Sequence, residues 1–233
     1  MPERRYIFDA PRVNSVTVQG DDRRFPVRRI YCVGRNYAEH IREMGGDERQ
    51  SPFFFQKPSD AIVEDGAAVP YPPATSDFQY EIELVLAIGE GGANIKIENA
   101  ASHIFGVAAG IDLTRRDVQI EARKTGRPWE IGKSFDASAP IGVIAPLNGG
   151  ALPRRGALSL RVNGELRQQG DIAEMIWNSA EIVSALSKQY TLEPGDLIFT
   201  GTPAGVGPTV AGDELIGEVE GVGAIRITIT QPH

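Results

Sequence analysis

The chain has 233 residues, 41% of them hydrophobic, and a formal net charge of −7. This balance is ordinary for a globular protein, and the negative charge argues against nonspecific binding to nucleic acid, which needs a cationic surface. The single cysteine, Cys32, excludes an internal disulfide and a cysteine-ligated metal cluster. The sequence has no run of 18 consecutive apolar residues, so it predicts no membrane-spanning helix. The N-terminal residues also lack the apolar segment of a signal peptide, and we therefore expect a cytoplasmic protein.

The N-terminal part of the sequence predicts short strands joined by turns. Residues 1–28 are interpreted as a short β extension, and residues 29–233 as a single domain. A strand is predicted over residues 29–33 and a short helix over residues 36–44.

His40 and Glu43 lie three residues apart on this predicted helix, so their side chains would face the same way. A carboxylate beside an imidazole fixes the imidazole tautomer and raises its basicity, which suits a base that activates water. A surface ion pair is the simpler interpretation of the same spacing.

Residues 80–88 are the most informative stretch, because two acids interrupt an otherwise apolar predicted strand. Strand alternation places Glu81 and Glu83 on one face, roughly 6–7 Å apart at the backbone. Two anions in apolar surroundings repel each other and lose hydration unless a cation lies between them. Oxygen ligands on a rigid strand suit a hard divalent ion such as Mg²⁺. The alternative is an edge strand whose glutamates face water.

Asp112 follows a predicted strand of small residues, over positions 106–111, and precedes a predicted helix. With Glu81 and Glu83 it completes three carboxylates on rigid elements. Mg²⁺ sites usually take few protein carboxylates, and water or substrate oxygens complete the coordination shell. An Asx turn at the entry of the helix is the alternative role for Asp112.

The next predicted helix runs over residues 115–124. Thr114 and Asp117 have the spacing of a capping box, which would begin this helix, and Gly126 would end it. Arg116 and Gln119 would share one helix face near Asp112.

The remaining sequence predicts further short strands and one helix. Lys133 follows Gly132 in a predicted loop, and the glycine spacing around it does not fit a phosphate-binding loop. Asn163-Gly164 predicts a type I′ hairpin. Asn178 with Glu181 predicts the start of a helix whose buried face is formed by Ile182, Val183, Leu186 and Tyr190. Many short strands without regular βα alternation predict a β-rich α+β fold.

Six short motifs, in this order along the chain, resemble the fumarylacetoacetate hydrolase family. They are Gly34-Arg35-Asn36-Tyr37-Ala38-Glu39-His40, Lys57-Pro58-Ser59, Glu81-Ile82-Glu83, Asp112-x-Thr114-x-Arg116-Asp117-x-Gln119, Gly132-Lys133-Ser134-Phe135 and Thr200-Gly201-Thr202-Pro203. The similarity runs from about residue 28 to residue 230, which we therefore interpret as a catalytic domain.

The resemblance implies a mixed β-sandwich roll, a homodimer, and Mg²⁺ or Mn²⁺ held by the three carboxylates. It implies that His40 and Glu43 activate water, on a segment that orders over the bound substrate. Side chains expected to contact the substrate or its developing oxyanion are Arg35, Arg116, Gln119, Lys133 and Thr202.

The small acylpyruvate hydrolases of this family are the most similar, in particular the type that cleaves fumarylpyruvate in gentisate-type aromatic catabolism. The implied reaction is hydrolysis of a carbon–carbon bond in a small anionic keto acid, giving fumarate and pyruvate. One alternative is an oxaloacetate decarboxylase or a related keto-acid lyase, because the same metal-stabilised enolate would serve it. A tautomerase or hydratase acting on related keto acids is a further alternative. Another is a non-catalytic protein with a structural Ca²⁺ site.

Overall fold

A computed structural model describes residues 6–37 and 50–232 of the chain. Within these residues it has 18 strands and three α-helices, which confirms the β-rich α+β class. The helices are α1 (Arg116–Lys124), α2 (Glu130–Lys133) and α3 (Ser179–Ser187), and 3₁₀ turns cover Ser59–Ala61, Ile97–His103 and Ile172–Glu174. The strands are β1 (Ser15–Thr17), β2 (Arg24–Pro26), β3 (Arg29–Gly34), β4 (Phe53–Lys57), β5 (Ile62–Glu64), β6 (Ala67–Pro70), β7 (Phe78–Tyr80), β8 (Ile82–Ile88), β9 (Ile104–Ile111), β10 (Thr114–Arg115), β11 (Ala139–Ile141), β12 (Ala145–Pro146), β13 (Ala157–Val162), β14 (Glu165–Asp171), β15 (Asp196–Phe199), β16 (Gly207–Pro208), β17 (Glu214–Val219) and β18 (Gly223–Thr230).

Two large mixed sheets carry most of these strands. The larger has the order β4-β3-β15-β8-β9-β11-β5, with β12 paired to β9, and the smaller has the order β14-β13-β17-β18-β6. A three-stranded sheet, β10-β7-β16, and the hairpin β1-β2 complete the set. The main hydrophobic core joins side chains of β8 and β9 to those of β13, β17 and β18, so it lies between the two large sheets.

Successive side chains of strand β8 point to opposite faces of the larger sheet, and each face packs against a different hydrophobic cluster. Ile82, Leu84 and Leu86 belong to the core between the sheets, whereas Val85 and Ala87 pack in a second cluster on the other face. All seven β8 residues are buried, because β15 pairs on one side and β9 on the other. The edge-strand alternative for the two glutamates is therefore wrong.

The hairpin β1-β2 covers that second cluster. Val16 and Phe25 pack there with Ile30 of β3 and Phe199 of β15. The division of the chain at residue 28 stays a prediction.

Two predictions about local structure are confirmed. Asn163 and Gly164 both have positive φ, 52° and 83°, as a type I′ turn requires, and they join β13 to β14. Asn178 caps α3 through a complete capping box with Glu181. The helix ends at Ser187, however, so Tyr190 lies beyond it and is 38% exposed.

Two other local predictions are wrong. Thr114 does not cap α1, because it lies in β10 and its hydroxyl group interacts with Asp112 and Lys133 instead. Asp117 accepts from Ser76 and Thr75 and does not complete a capping box. Lys133 lies in the short helix α2, not in a loop, and it is buried.

None of the helices in the two described ranges combines the length and apolar character that a membrane crossing needs.

Candidate active site

The three predicted carboxylates meet at one place. Glu81 immediately precedes β8, Glu83 lies on β8, and Asp112 directly follows β9, which pairs with β8. The amide N of Asp112 donates to the carbonyl O of Glu81 at 2.8 Å, so the end of the ladder sets their relative position. All three are buried, and each offers a ligand oxygen within 4.8 Å of the others.

Glycine residues allow two close approaches around these acids. Glu83 lies opposite Gly110 of β9, where a Cβ would come within 2.6 Å of Cγ2 of Val85. Gly201, at φ 97°, donates its amide N–H to Oε2 of Glu83 at 2.7 Å. The loop after β15 is therefore held against the carboxylates.

Three cations balance the cluster. The Lys133 ammonium lies 2.9 Å from Oε2 of Glu81 and 2.7 Å from Oδ2 of Asp112, and Nζ of Lys57 lies 2.9 Å from Oδ1 of Asp112. Arg116 pairs with Oε1 of Glu81. Burial opposes the charged form of Lys133, but Asp112 and Glu81 outweigh it and raise the pKa of that ammonium.

Glu83 is compensated more weakly than the other two acids, because the charge of Lys133 acts on it without a direct contact. It has no ion pair with any residue in the described parts of the chain, only the hydrogen bond from Gly201. Burial first, and then the charges of Asp112 and Glu81, raise its pKa well above the ordinary value. A divalent cation among the three carboxylates would remove this penalty.

The residues present therefore fit a divalent metal. The donors are all carboxylate oxygens, which are the ligands that hard cations prefer. Three such ligands leave coordination positions for water or for a substrate. A saturated structural Ca²⁺ site, with six to eight oxygen ligands, fits this small donor set less well.

Hydrogen-bond donors line one side of the same cavity. Arg116 donates through Nε to Gln79 at 2.8 Å and through Nη1 to Oε1 of Gln119. Since Oε1 of Gln119 accepts that bond, its NH₂ group is left to donate to an acceptor in the cavity. Helix α1 thus presents Arg116 and Gln119 together, as their spacing predicted.

Thr202 and Arg35 complete the wall with aromatic side chains. The cavity is also lined by Phe55 and Trp129. The guanidinium of Arg35 lies 5.7 Å from the centroid of the Trp129 ring, and its buried Nε has no hydrogen-bond partner among residues 6–37 and 50–232. Arg35 has φ 59°, an unusual value for a non-glycine residue, which directs it from the end of β3 into this wall.

The structure thus gathers eight of the ten predicted site residues around one cavity. They are Arg35, Glu81, Glu83, Asp112, Arg116, Gln119, Lys133 and Thr202. The other two, His40 and Glu43, lie outside the described residues, and their roles stay predictions. The sequence left the role of Lys57 open. It also did not indicate that Thr114 accepts a hydrogen bond from Lys133, or that the buried amide of Gln168 donates to Thr202. The sequence signals for Lys57 were the Lys57-Pro58-Ser59 motif and its position at the end of an aromatic strand; its burial is seen only in the structure.

Residues 29–230 match the family model described as fumarylacetoacetate (FAA) hydrolase C-terminal. The chain belongs to the fumarylacetoacetate hydrolase family. Fumarylpyruvate hydrolase of Ralstonia sp is 47% identical over 180 residues, which are 77% of this chain and 93% of that relative. The mitochondrial oxaloacetate tautomerase FAHD1 of Homo sapiens is 40% identical over 206 residues, which are 88% of this chain and 93% of that protein.

A solved structure extends this similarity to the fold. Fumarylpyruvate hydrolase from Pseudomonas aeruginosa, in complex with Mn²⁺ and pyruvate, has a TM-score of 0.95 and 50% identity, and the match covers 97% of this chain and 100% of that one. The expected family fold is confirmed. So is the expectation of an enzyme of this family, a hydrolase acting on carbon–carbon bonds.

Proposed function

We propose that this member of the fumarylacetoacetate hydrolase family hydrolyses acylpyruvates, and that its substrate is fumarylpyruvate, cleaved to fumarate and pyruvate. One observation carries the proposal: three buried carboxylates, one of them without an ion pair in the described chain, adjoin Lys133, Arg116 and Gln119 in one cavity. The 47% identical fumarylpyruvate hydrolase and the Mn²⁺ and pyruvate complex of the Pseudomonas aeruginosa relative support it.

Glu81, Glu83 and Asp112 would hold Mg²⁺ or Mn²⁺, which supplies Lewis acidity and orients the keto acid. Arg116 and Gln119 would donate hydrogen bonds to the oxyanion that forms when water adds to the distal carbonyl. Lys133, held as an ammonium by Glu81 and Asp112, would stabilise the enolate of pyruvate that leaves when the carbon–carbon bond breaks.

His40 would take the proton from the attacking water, oriented by Glu43. This assignment rests on the resemblance of the motif around His40 and on the spacing of the two residues.

The position and charge of Arg35 favour fumarylpyruvate over shorter acylpyruvates as the substrate. Arg35 is only half-buried, whereas the carboxylates and Lys133 are buried, so we infer that its side chain extends toward the open end of the cavity. A cation on the Trp129 ring is suited to the carboxylate at the far end of a fumaryl group. An acetyl group at that place would give Arg35 no partner.

Tautomerisation or decarboxylation of oxaloacetate is the second candidate. The tautomerase relatives at about 40% identity favour it, and its enolate would use the same Lys133 and metal site. A homodimer is proposed with the first function, on the family resemblance alone.

The test compares three substrates in the metal-stripped chain and after adding Mg²⁺ or Mn²⁺. Loss of enol absorbance and release of pyruvate should be fastest with fumarylpyruvate, slower with acetylpyruvate, and absent with chelator. Glu81→Gln should abolish turnover and weaken Mn²⁺ binding in calorimetry, whereas Glu218→Gln, on the exposed face of β17, should change neither. Faster turnover of oxaloacetate than of both acylpyruvates would favour the second candidate.

A further inference from the structure

Gln168 is a fully buried polar residue in an otherwise solvent-facing stretch of β14. The strand reads Glu-Leu-Arg-Gln-Gln-Gly-Asp, and Gln168 is its buried residue, only 1% exposed. A buried amide must satisfy two donor hydrogens and an acceptor, so its partners reveal what it does.

The partners of Gln168 connect both sides of the candidate active site. Its Oε1 accepts from the backbone N–H of Ile82 at 2.9 Å, between the two metal-site glutamates. Its Nε2 donates to Oγ1 of Thr202 at 2.9 Å and to the carbonyl O of Pro203 at 3.0 Å. Gln168 therefore joins the smaller sheet to the strand of the carboxylates and to the loop after β15.

The orientation of this amide follows from its neighbours. The N–H of Ile82 can only donate, and the carbonyl of Pro203 can only accept. Turning the amide over would place its NH₂ group against the Ile82 N–H and its oxygen against the Pro203 carbonyl, which would lose both bonds. The donor to Thr202 is therefore Nε2, and Oγ1 of Thr202 is the acceptor.

This polarity decides what Thr202 can offer a ligand. Because Oγ1 accepts from Gln168, the hydroxyl proton must point in another direction. Thr202 is 3% exposed and lines the cavity with Lys133 and Gln119, and no described residue accepts its proton. The proton is left for an acceptor inside the cavity.

We infer that Gln168 is a positioning residue that makes the Thr202 hydroxyl an obligatory donor to a carboxylate of the bound keto acid. The inference rests on the proposed function, because it takes the ligand to be a keto acid. It assigns Gln168 no contact with the substrate; the residue acts through Thr202.

The test measures the affinity of oxalate, a dicarboxylate stand-in for the keto-acid end, by calorimetry on the Mn²⁺-loaded chain. Thr202→Val should weaken oxalate binding by about tenfold or more, as expected for a hydrogen bond to a charged group, and Thr202→Ser should restore it. Gln168→Met, which keeps the volume but removes the amide, should weaken oxalate binding at least about threefold. Gln169→Met, at the exposed neighbouring position on β14, is the matched control and should bind oxalate normally.

The double variant separates positioning from a general loss of structure. If Gln168 acts through Thr202, adding Gln168→Met to Thr202→Val should weaken oxalate binding no further. In the absence of oxalate, the Mn²⁺ affinity of the four single variants (Thr202→Val, Thr202→Ser, Gln168→Met and Gln169→Met) should stay within about twofold of the wild-type affinity. Turnover of the Gln168→Met variant should show a raised KM with kcat changed less.

Three results would overturn the inference. They are unchanged oxalate affinity in Thr202→Val, unchanged affinity in a folded Gln168→Met, and independent, multiplying losses in the double variant. If Gln168→Met does not fold, comparing Thr202→Val with Thr202→Ser still tests whether the Thr202 hydroxyl donates to the bound carboxylate. Failure of the wild-type chain to bind oxalate with Mn²⁺ would instead reject the proposed function, and the inference with it.

Discussion

Replacing Glu83 by glutamine should make the metal-free protein more stable, and increasingly so as the pH rises. Glu83 is 1% exposed, and its carboxylate lies within 4.8 Å of ligand oxygens of Glu81 and Asp112. Burial and those two anions raise its pKa. Glutamine has nearly the same volume and can still accept the N–H of Gly201.

The size of the effect follows from the charges. Two unit charges 4.8 Å apart repel by about 3.5 kcal/mol at an effective dielectric constant of ~20, and Lys133 offsets part of this. The folded chain therefore keeps a proton on Glu83 that the unfolded chain releases above its ordinary pKa of about 4.3. Because the folded state binds more protons, its stability falls as pH rises, by at most about 1.4 kcal/mol per pH unit, until the folded pKa is reached.

The assay is urea unfolding in chelator at about pH 5.5 and about pH 7.5, for wild type, Glu83→Gln and Glu218→Gln. From the lower to the higher pH, the free energy of unfolding of wild type and of the exposed control Glu218→Gln should fall relative to that of Glu83→Gln. Excess Mn²⁺ should stabilise wild type more at the higher pH, because the ion replaces that proton, and should stabilise Glu83→Gln little. An identical pH dependence of wild type and Glu83→Gln in chelator would refute this account of the site.

Three further changes test other parts of the molecule. His40→Ala should lower kcat by roughly 10²–10⁴ while leaving Mn²⁺ affinity intact, and unchanged turnover would reject its role as the base. Lys133→Met should destabilise the metal-free chain by about 3–5 kcal/mol in urea unfolding, because it leaves Glu81 and Asp112 without their shared ammonium; Lys124→Met, at an exposed position, should be neutral. Gly110→Val should lower the thermal midpoint by the equivalent of about 1–3 kcal/mol, since its Cβ would lie 2.6 Å from Val85 and 2.8 Å from Phe199, and an unchanged midpoint would mean that β9 shifts freely.

Features set by short-range chemistry were predictable from the sequence. The alternation of residues 80–88 predicted one strand with Glu81 and Glu83 on one face; the structure has a buried strand over Ile82–Ile88, with Glu81 immediately before it and Tyr80 at the end of β7. Asn163-Gly164 and the Asn178 cap act within a few residues of chain, so their geometry depends little on the rest of the fold. The motif order predicted the family, and eight of the ten site residues named from the sequence surround the cavity.

Tertiary structure decided where local patterns had competing uses. Thr114 and Asp117 have the spacing of a capping box, but Lys133 and Ser76, distant in sequence, take their side chains as partners. Lys57 and Lys133 can be buried because the fold brings carboxylates to them: Asp112 pairs with both lysines, and Glu81 pairs with Lys133. Gln168 looks like any polar residue of an exposed strand until the loop after β15 packs against it. The reason is physical: periodicity and capping are properties of neighbouring residues, whereas the compensation of a buried charge or amide depends on which distant segments the fold brings together.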